Sequence, residues 1–121
     1  MSEADAPIRV LLVEDNEAYR DSIVFHLGLR PEIEVVGTEA TGERALVRAA
    51  ELEPDVAVLD LRLPDIDGRT VAAGVASAVV FLSASAGQAE YDAASSAAAA
   101  LVRKDEGVDA LVSAIRAAAG R

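Results

Sequence analysis

DVAVLDLRLPDIDG, residues 55–68, runs from unbroken aliphatics through a single aspartate, Asp60, into a turn rich in proline, aspartate and glycine. Four consecutive apolar residues with no polar alternation mark a strand covered on both faces, as in parallel sheets. The same grammar recurs on either side. Upstream, IRVLLV (8–13) ends in Glu14, Asp15 and Asn16, and IEVVG (33–37) forms a second run. Downstream, AVVFLSA (78–84) and ALVRK (100–104) form a fourth and a fifth.

Helical periodicity fills the intervals. From Glu17 to Leu29 the apolar pair Ile23 and Leu27 is spaced i, i+4, with Asn16 as N-cap and Pro31 as the stop. Thr41 caps a helix over 42–53 with Ala45, Leu46, Ala49 and Leu52 on one face, closed by Pro54. A short, glycine-broken helix is expected over 69–76, an alanine-rich fourth helix through about Ala97, and a fifth over 107–119 with Val108, Leu111, Val112, Ile115 and Ala119 as its stripe. Five alternations of strand and helix imply an α/β fold, a parallel sheet joined by right-handed crossovers with helices on both faces.

Composition bounds the function. The 121 residues suit one domain, with residues 1–7 as an N-terminal tail, 8–119 as the folded unit and 120–121 as its end or the start of a linker. Half of the residues are apolar (52%), which supports a packed core despite the charge. A formal net charge of −10 repels phosphate backbones and anionic lipids, so neither direct nucleic-acid binding nor membrane association is expected. The absence of cysteine excludes disulfides and thiolate metal sites, and the lone His26 excludes a two-histidine metal centre. The polar, acidic start is no signal peptide, and the stretch from Val71 to Leu82 is far short of the roughly 20 residues that cross a bilayer, so a soluble, cytoplasmic protein is expected.

Chemistry in an open parallel sheet gathers at the carboxyl ends of its strands, where the strand order reverses. Polar residues stand at those ends here: Glu14 and Asp15, Asp60, Ser83 and Lys104. With strand order 2-1-3-4-5 the first and third runs are neighbours and their three carboxylates meet. Such a cluster is costly unless a cation occupies it, and oxygen ligands with room for water describe Mg²⁺. Asp60 also has the makings of a nucleophile toward phosphorus, with Lys104 and a cation to neutralise the phosphoryl oxygens and the Ser83 hydroxyl to donate to one of them.

The chain resembles the receiver domain of two-component response regulators. The resemblance covers nearly all of 8–119 and rests on LLVEDN for Glu14 and Asp15, VAVLDLRLPDIDG for the phosphoacceptor Asp60, VVFLSA for Ser83 and LVRKD for Lys104. It implies a flavodoxin-like (βα)5 three-layer sandwich. It implies Mg²⁺ held by Asp15, Asp60, the backbone carbonyl of Arg62 and, through water, Glu14, with the backbone amides of Leu61 and Ala84 facing the phosphoryl group. It also implies a sensor histidine kinase as partner and a homodimer through the fourth and fifth helices. PEIEVVG (31–37) and the KD at 104–105 are similar to the LuxR/NarL-like subclass, whose members carry a helix-turn-helix output domain.

Three departures from the pattern stand out. Fewer residues separate Asp60 from Ser83 than is usual, with the loss falling in the third helix. Leu101 occupies the switch position that is normally aromatic, and Asp105 replaces the usual proline, removing the expectation of a cis peptide after Lys104. The alternative reading is therefore a receiver-like module that binds or dimerises without phosphorylation. A phosphohydrolase is disfavoured, since a second acid is needed two residues after the nucleophile and that position is Arg62. His26 reads as structural or half-exposed, Val24 and Phe25 as surface apolars or a kinase-docking patch, and Tyr91 as packing.

Overall fold

The computed structural model describes residues 6–84, 87, 92 and 100–121. Most of the expected fourth helix, with Tyr91 and the dimer face that includes that helix, lies outside the described residues. Five strands, β1 (Ile8–Val13), β2 (Ile33–Glu39), β3 (Val56–Asp60), β4 (Ala78–Ser83) and β5 (Ala100–Arg103), form one sheet of order β2-β1-β3-β4-β5 with every pairing parallel. Three helices, α1 (Glu17–Gly28), α2 (Gly42–Leu52) and α3 (Gly68–Ala73), and a C-terminal helix (Val108–Ala118) cover it.

Alternation along each strand divides the core in two. Val10, Leu12, Val56, Val58, Val80, Leu82 and Val102 face α1 and the C-terminal helix, meeting Ile23, Leu27, Leu111, Val112 and Ile115. Leu11, Val13, Ala57, Leu59 and Phe81 face α2 and α3, meeting Ala45 and Val71. The sheet is therefore the middle of three layers, and β3 is buried at all five positions because both of its faces are covered. Leu27 is fully buried, and truncating such a leucine to alanine costs about 2–5 kcal/mol.

The register of β1 with β2 slips once: Val10 pairs with Val35, but Leu11 pairs with Gly37, leaving Val36 as an extra residue in β2. Ile33 and Val35 accordingly pack with the α1 side of the core, whereas Gly37 lies against Leu52 and Arg48 of α2.

Several element ends differ from the sequence reading. β2 continues to Glu39 rather than stopping at Gly37, because Thr38 and Glu39 extend the ladder along Leu12 and Val13. β3 ends at Asp60 and β4 at Ser83, one residue short of the Leu61 and Ala84 expected from the aliphatic runs, and α3 ends at Ala73, not Ala76. Gly74 terminates α3 where the chain presses on α2: a Cβ there would lie 2.7 Å from Leu46 Cδ2. Lys104 is not the last residue of β5 but the first of a 3-10 turn, Lys104–Glu106. Val24, expected to point away from the core, packs partly buried against it, while Phe25 is 64% exposed. His26 is exposed, its Nδ1 2.7 Å from the Ser22 carbonyl. No cis peptide occurs among the described residues.

Candidate functional site

The ends of β1, β3, β4 and β5 bring Glu14 and Asp15, Asp60, Ser83 and Lys104 to the same edge of the sheet. Glu14 follows β1 directly; its N–H donates to the Glu39 carbonyl at 3.0 Å and its own carbonyl accepts from Arg20 Nη1 at 2.7 Å, so the backbone at this acid is fixed from two elements. Its side chain is fully buried, whereas Asp15, next in line, is exposed. Asp60 closes β3 at 5% exposure. One oxygen from each of Glu14, Asp15 and Asp60 lies within 4.8 Å of the others. The three carboxylates expected to meet therefore do so.

Lys104 enters this acid cluster from beyond β5. Its Nζ donates to Asp60 Oδ2 at 3.0 Å and contacts Glu14 Oε1, and it stands 4.7 Å from the centroid of the Tyr19 ring. The other carboxylate oxygen of Asp60, Oδ1, accepts the Arg62 N–H at 2.9 Å. Glu14 Oε2 is buried with no hydrogen-bond partner. An unpaired carboxylate oxygen out of reach of water is expensive, and a hard divalent cation shared with Asp15 and Asp60 would satisfy it. The donor set, all oxygen and mostly carboxylate, fits Mg²⁺.

The titration behaviour follows from this crowding. Burial first, and then the hydrogen bond shared with Asp60, pushes the Glu14 carboxyl up to about 8. Burial pulls Asp60 upward too, but hydrogen bonds from Glu14, the Arg62 amide and Lys104 outweigh it and hold its carboxyl below the ordinary value. Burial opposes the Lys104 charge, yet its bonds to Glu14 and Asp60 prevail and raise it. Without a cation, then, the Glu14 carboxyl holds its proton more tightly than an ordinary carboxyl, and Asp60 less tightly.

On the other side of Asp60 a cavity of about 110 Å³ is lined by Asp60, Leu61, Arg62, Ser83 and Ala84. The expectation that the Leu61 amide faces a phosphoryl group is corrected here. Leu61 N–H continues the sheet by donating to the Leu82 carbonyl at 3.0 Å, so the amide turned to the Asp60 carboxylate is that of Arg62. Leu101 pairs in register with Phe81 and packs on the α2 side of the core, the face opposite the one on which Lys104 meets Asp60.

Two contributors had no part in the sequence reading. Asp65, in the turn after β3, accepts the N–H groups of Gly42 at 2.7 Å and Glu43 at 2.9 Å, capping α2 from another loop and holding its own carboxyl below the ordinary value. Tyr19 is the second. The Asn16 cap was the signal that could have found it, since the third residue of a helix capped at Asn16 rises beside the end of β1.

Residues 10–116 match the family model of the response regulator receiver domain. The receiver domain of the response regulator NarL from Mycobacterium tuberculosis is 32% identical and superposes with a TM-score of 0.83, covering 96% of this chain and 99% of that one. A LuxR-family two-component response regulator from Aurantimonas is 28% identical with a TM-score of 0.88, covering 96% and 88%. The response regulator VraR of Staphylococcus aureus is 44% identical over 61 residues, 50% of this chain and 29% of that protein. The matches to curated relatives span less than a third of their length. Among the described residues no helix is long and apolar enough to cross a membrane.

Proposed function

The chain belongs to the response regulator receiver domain family, and from that premise we propose that it accepts a phosphoryl group on Asp60 from a sensor histidine kinase, with Mg²⁺ bound, and passes its state to an output partner. The observation that carries this reading is the placement of Lys104 Nζ on both Asp60 and Glu14 beside the unpaired Glu14 Oε2. A buried carboxyl oxygen without a partner is costly, and a bound cation would offset that cost.

In the transfer an Asp60 carboxylate oxygen attacks phosphorus as the bond to the donor's imidazole nitrogen breaks, the bonding pair leaving with nitrogen. Asp15, Asp60, the Arg62 carbonyl and, through water, Glu14 would hold the cation. When bound, Mg²⁺ supplies positive charge against the phosphoryl oxygens and offsets repulsion among the acids. Lys104 moves its ammonium from Asp60 Oδ2 to a phosphoryl oxygen, keeping a charge-assisted bond throughout. The Ser83 hydroxyl and the Ala84 amide, beside the small cavity, receive a further oxygen. Leu101 fills the switch position by packing alone, so the response differs in kind from one built on an aromatic hydroxyl.

The receiver acts in the cytoplasm, where ATP supplies the kinase. Its likeness to LuxR-family regulators supports a transcriptional output, and its own charge of −10 disfavours direct DNA contact by this domain. Acetyl phosphate with Mg²⁺ is expected to add one phosphoryl mass that Asp60→Asn abolishes. No adduct with any donor, a cognate kinase included, overturns the reading.

A further inference from the structure

Lysine carries its charge on a flexible four-carbon stem, so an ammonium that must meet a small target needs walls. Two of the walls around Lys104 are the carboxylates of Glu14 and Asp60. The third is an aromatic face: Tyr19 places its ring centroid 4.7 Å from Nζ. Its backbone is fixed, since Tyr19 N–H donates to Asn16 Oδ1 at 2.9 Å in the cap of α1. Its side chain packs partly buried against the α1 side of the core. The ring thus has little freedom to leave the ammonium.

We propose that Tyr19 is a positioning residue for Lys104: its ring face takes the side of the ammonium that the two carboxylates leave open and holds the charge toward Asp60. A cation over a π face gains most where water is partly excluded, and the Lys104 side chain is only 20% exposed. Leu101 supplies no ring and packs on the opposite side of the sheet, with Phe81. Among the described residues Tyr19 is the aromatic group at this ammonium. The attraction comes from the ring and not from the hydroxyl, so phenylalanine preserves it and leucine removes it. For its effect on rate, the inference rests on the phosphoryl-transfer reading above.

Lys104 is the single lysine of the chain, so its ε-methylene protons give one lysine signal in the spectrum of the full-length protein. In the native protein and in Tyr19→Phe that signal is expected upfield, shielded by the ring, and in Tyr19→Leu it moves to the ordinary lysine position. With acetyl phosphate and Mg²⁺, Tyr19→Leu is expected to form the Asp60 adduct about threefold to tenfold more slowly, and Tyr19→Phe at the native rate. An unshifted Lys104 signal in the native protein, or equal adduct rates in the leucine and phenylalanine variants, overturns the proposal. If none of the three proteins forms an adduct while the shift contrast holds, the phosphoryl reading falls and the hold of the ring on Lys104 stands.

Discussion

Lys104 Nζ stands 3.0 Å from Asp60 Oδ2 while contacting Glu14 Oε1, so one ammonium serves two buried carboxylates that close different strands. Removing it leaves two acids facing each other. Lys104→Met is expected to cost about 2 kcal/mol in urea unfolding, less than for a wholly buried pair because Glu14 is able to keep a proton. Adding Glu14→Gln relieves the repulsion, so the double variant is more stable than Lys104→Met alone. Equal midpoints for the two variants would show that the acids do not oppose each other.

With EDTA present, the raised Glu14 carboxyl makes stability pH-dependent in a defined direction. A carboxyl at about 8 in the folded chain and near 4.5 in the unfolded one binds more protons when folded between those values. Stability from this group is therefore full below about pH 4.5 and is lost as pH rises toward 8, with a slope no steeper than about 1.4 kcal/mol per pH unit, the value for one proton. The difference between native protein and Glu14→Gln, measured by urea unfolding at several pH values, isolates that slope. A difference that stays constant from pH 5 to 8 contradicts it.

Gly68 begins α3 against the backbone of Asp60. A Cβ there would sit 2.4 Å from the Asp60 carbonyl oxygen and 2.9 Å from Leu61 Cα, and neither is a flexible side-chain tip able to swing aside. Gly68→Ala is expected to cost about 1–3 kcal/mol and to displace the Asp60 turn. The thermal midpoint and the rate of adduct formation should fall together; an unchanged rate would mean that the turn tolerates the shift.

Asp65 ties the turn after β3 to the start of α2 through the Gly42 and Glu43 amides. Its lowered carboxyl contributes stability above the unfolded value, lost as pH falls through the folded one. Asp65→Ala is expected to lower the urea midpoint at pH 7 and to narrow its gap to the native protein as the solution is acidified below pH 4. Hydrogen exchange of the Gly42 and Glu43 amides should quicken in the same variant.

The five strands were legible because each contains a run of aliphatic residues, wholly buried in β3 and partly exposed in the edge strands β2 and β5, and Glu14, Asp15, Asp60 and Lys104 were legible because each follows such a run. What escaped was set by phase and by distance along the chain. Whether Leu61 or Arg62 turns its amide to Asp60 depends on where the ladder of β3 and β4 takes its last hydrogen bond, and residue types do not record that. Asp65 and the amides it caps are separated by more than twenty positions, beyond any local pattern. The end of α3 was set by the close approach of Gly74 to Leu46, a tertiary contact.

The extra residue in β2 has an electrostatic effect. Strict alternation would put Ile33, Val35, Gly37 and Glu39 on one face, the face on which Glu14, Asp60 and Lys104 meet. The slip after Val35 sends Gly37 and Glu39 to the other side, where Glu39 reaches Arg48 at 3.2 Å and Arg44 at 3.6 Å. A single unpaired valine thus acts as a charge sorter. It keeps a fourth carboxylate from the neighbouring strand off the one lysine this chain possesses.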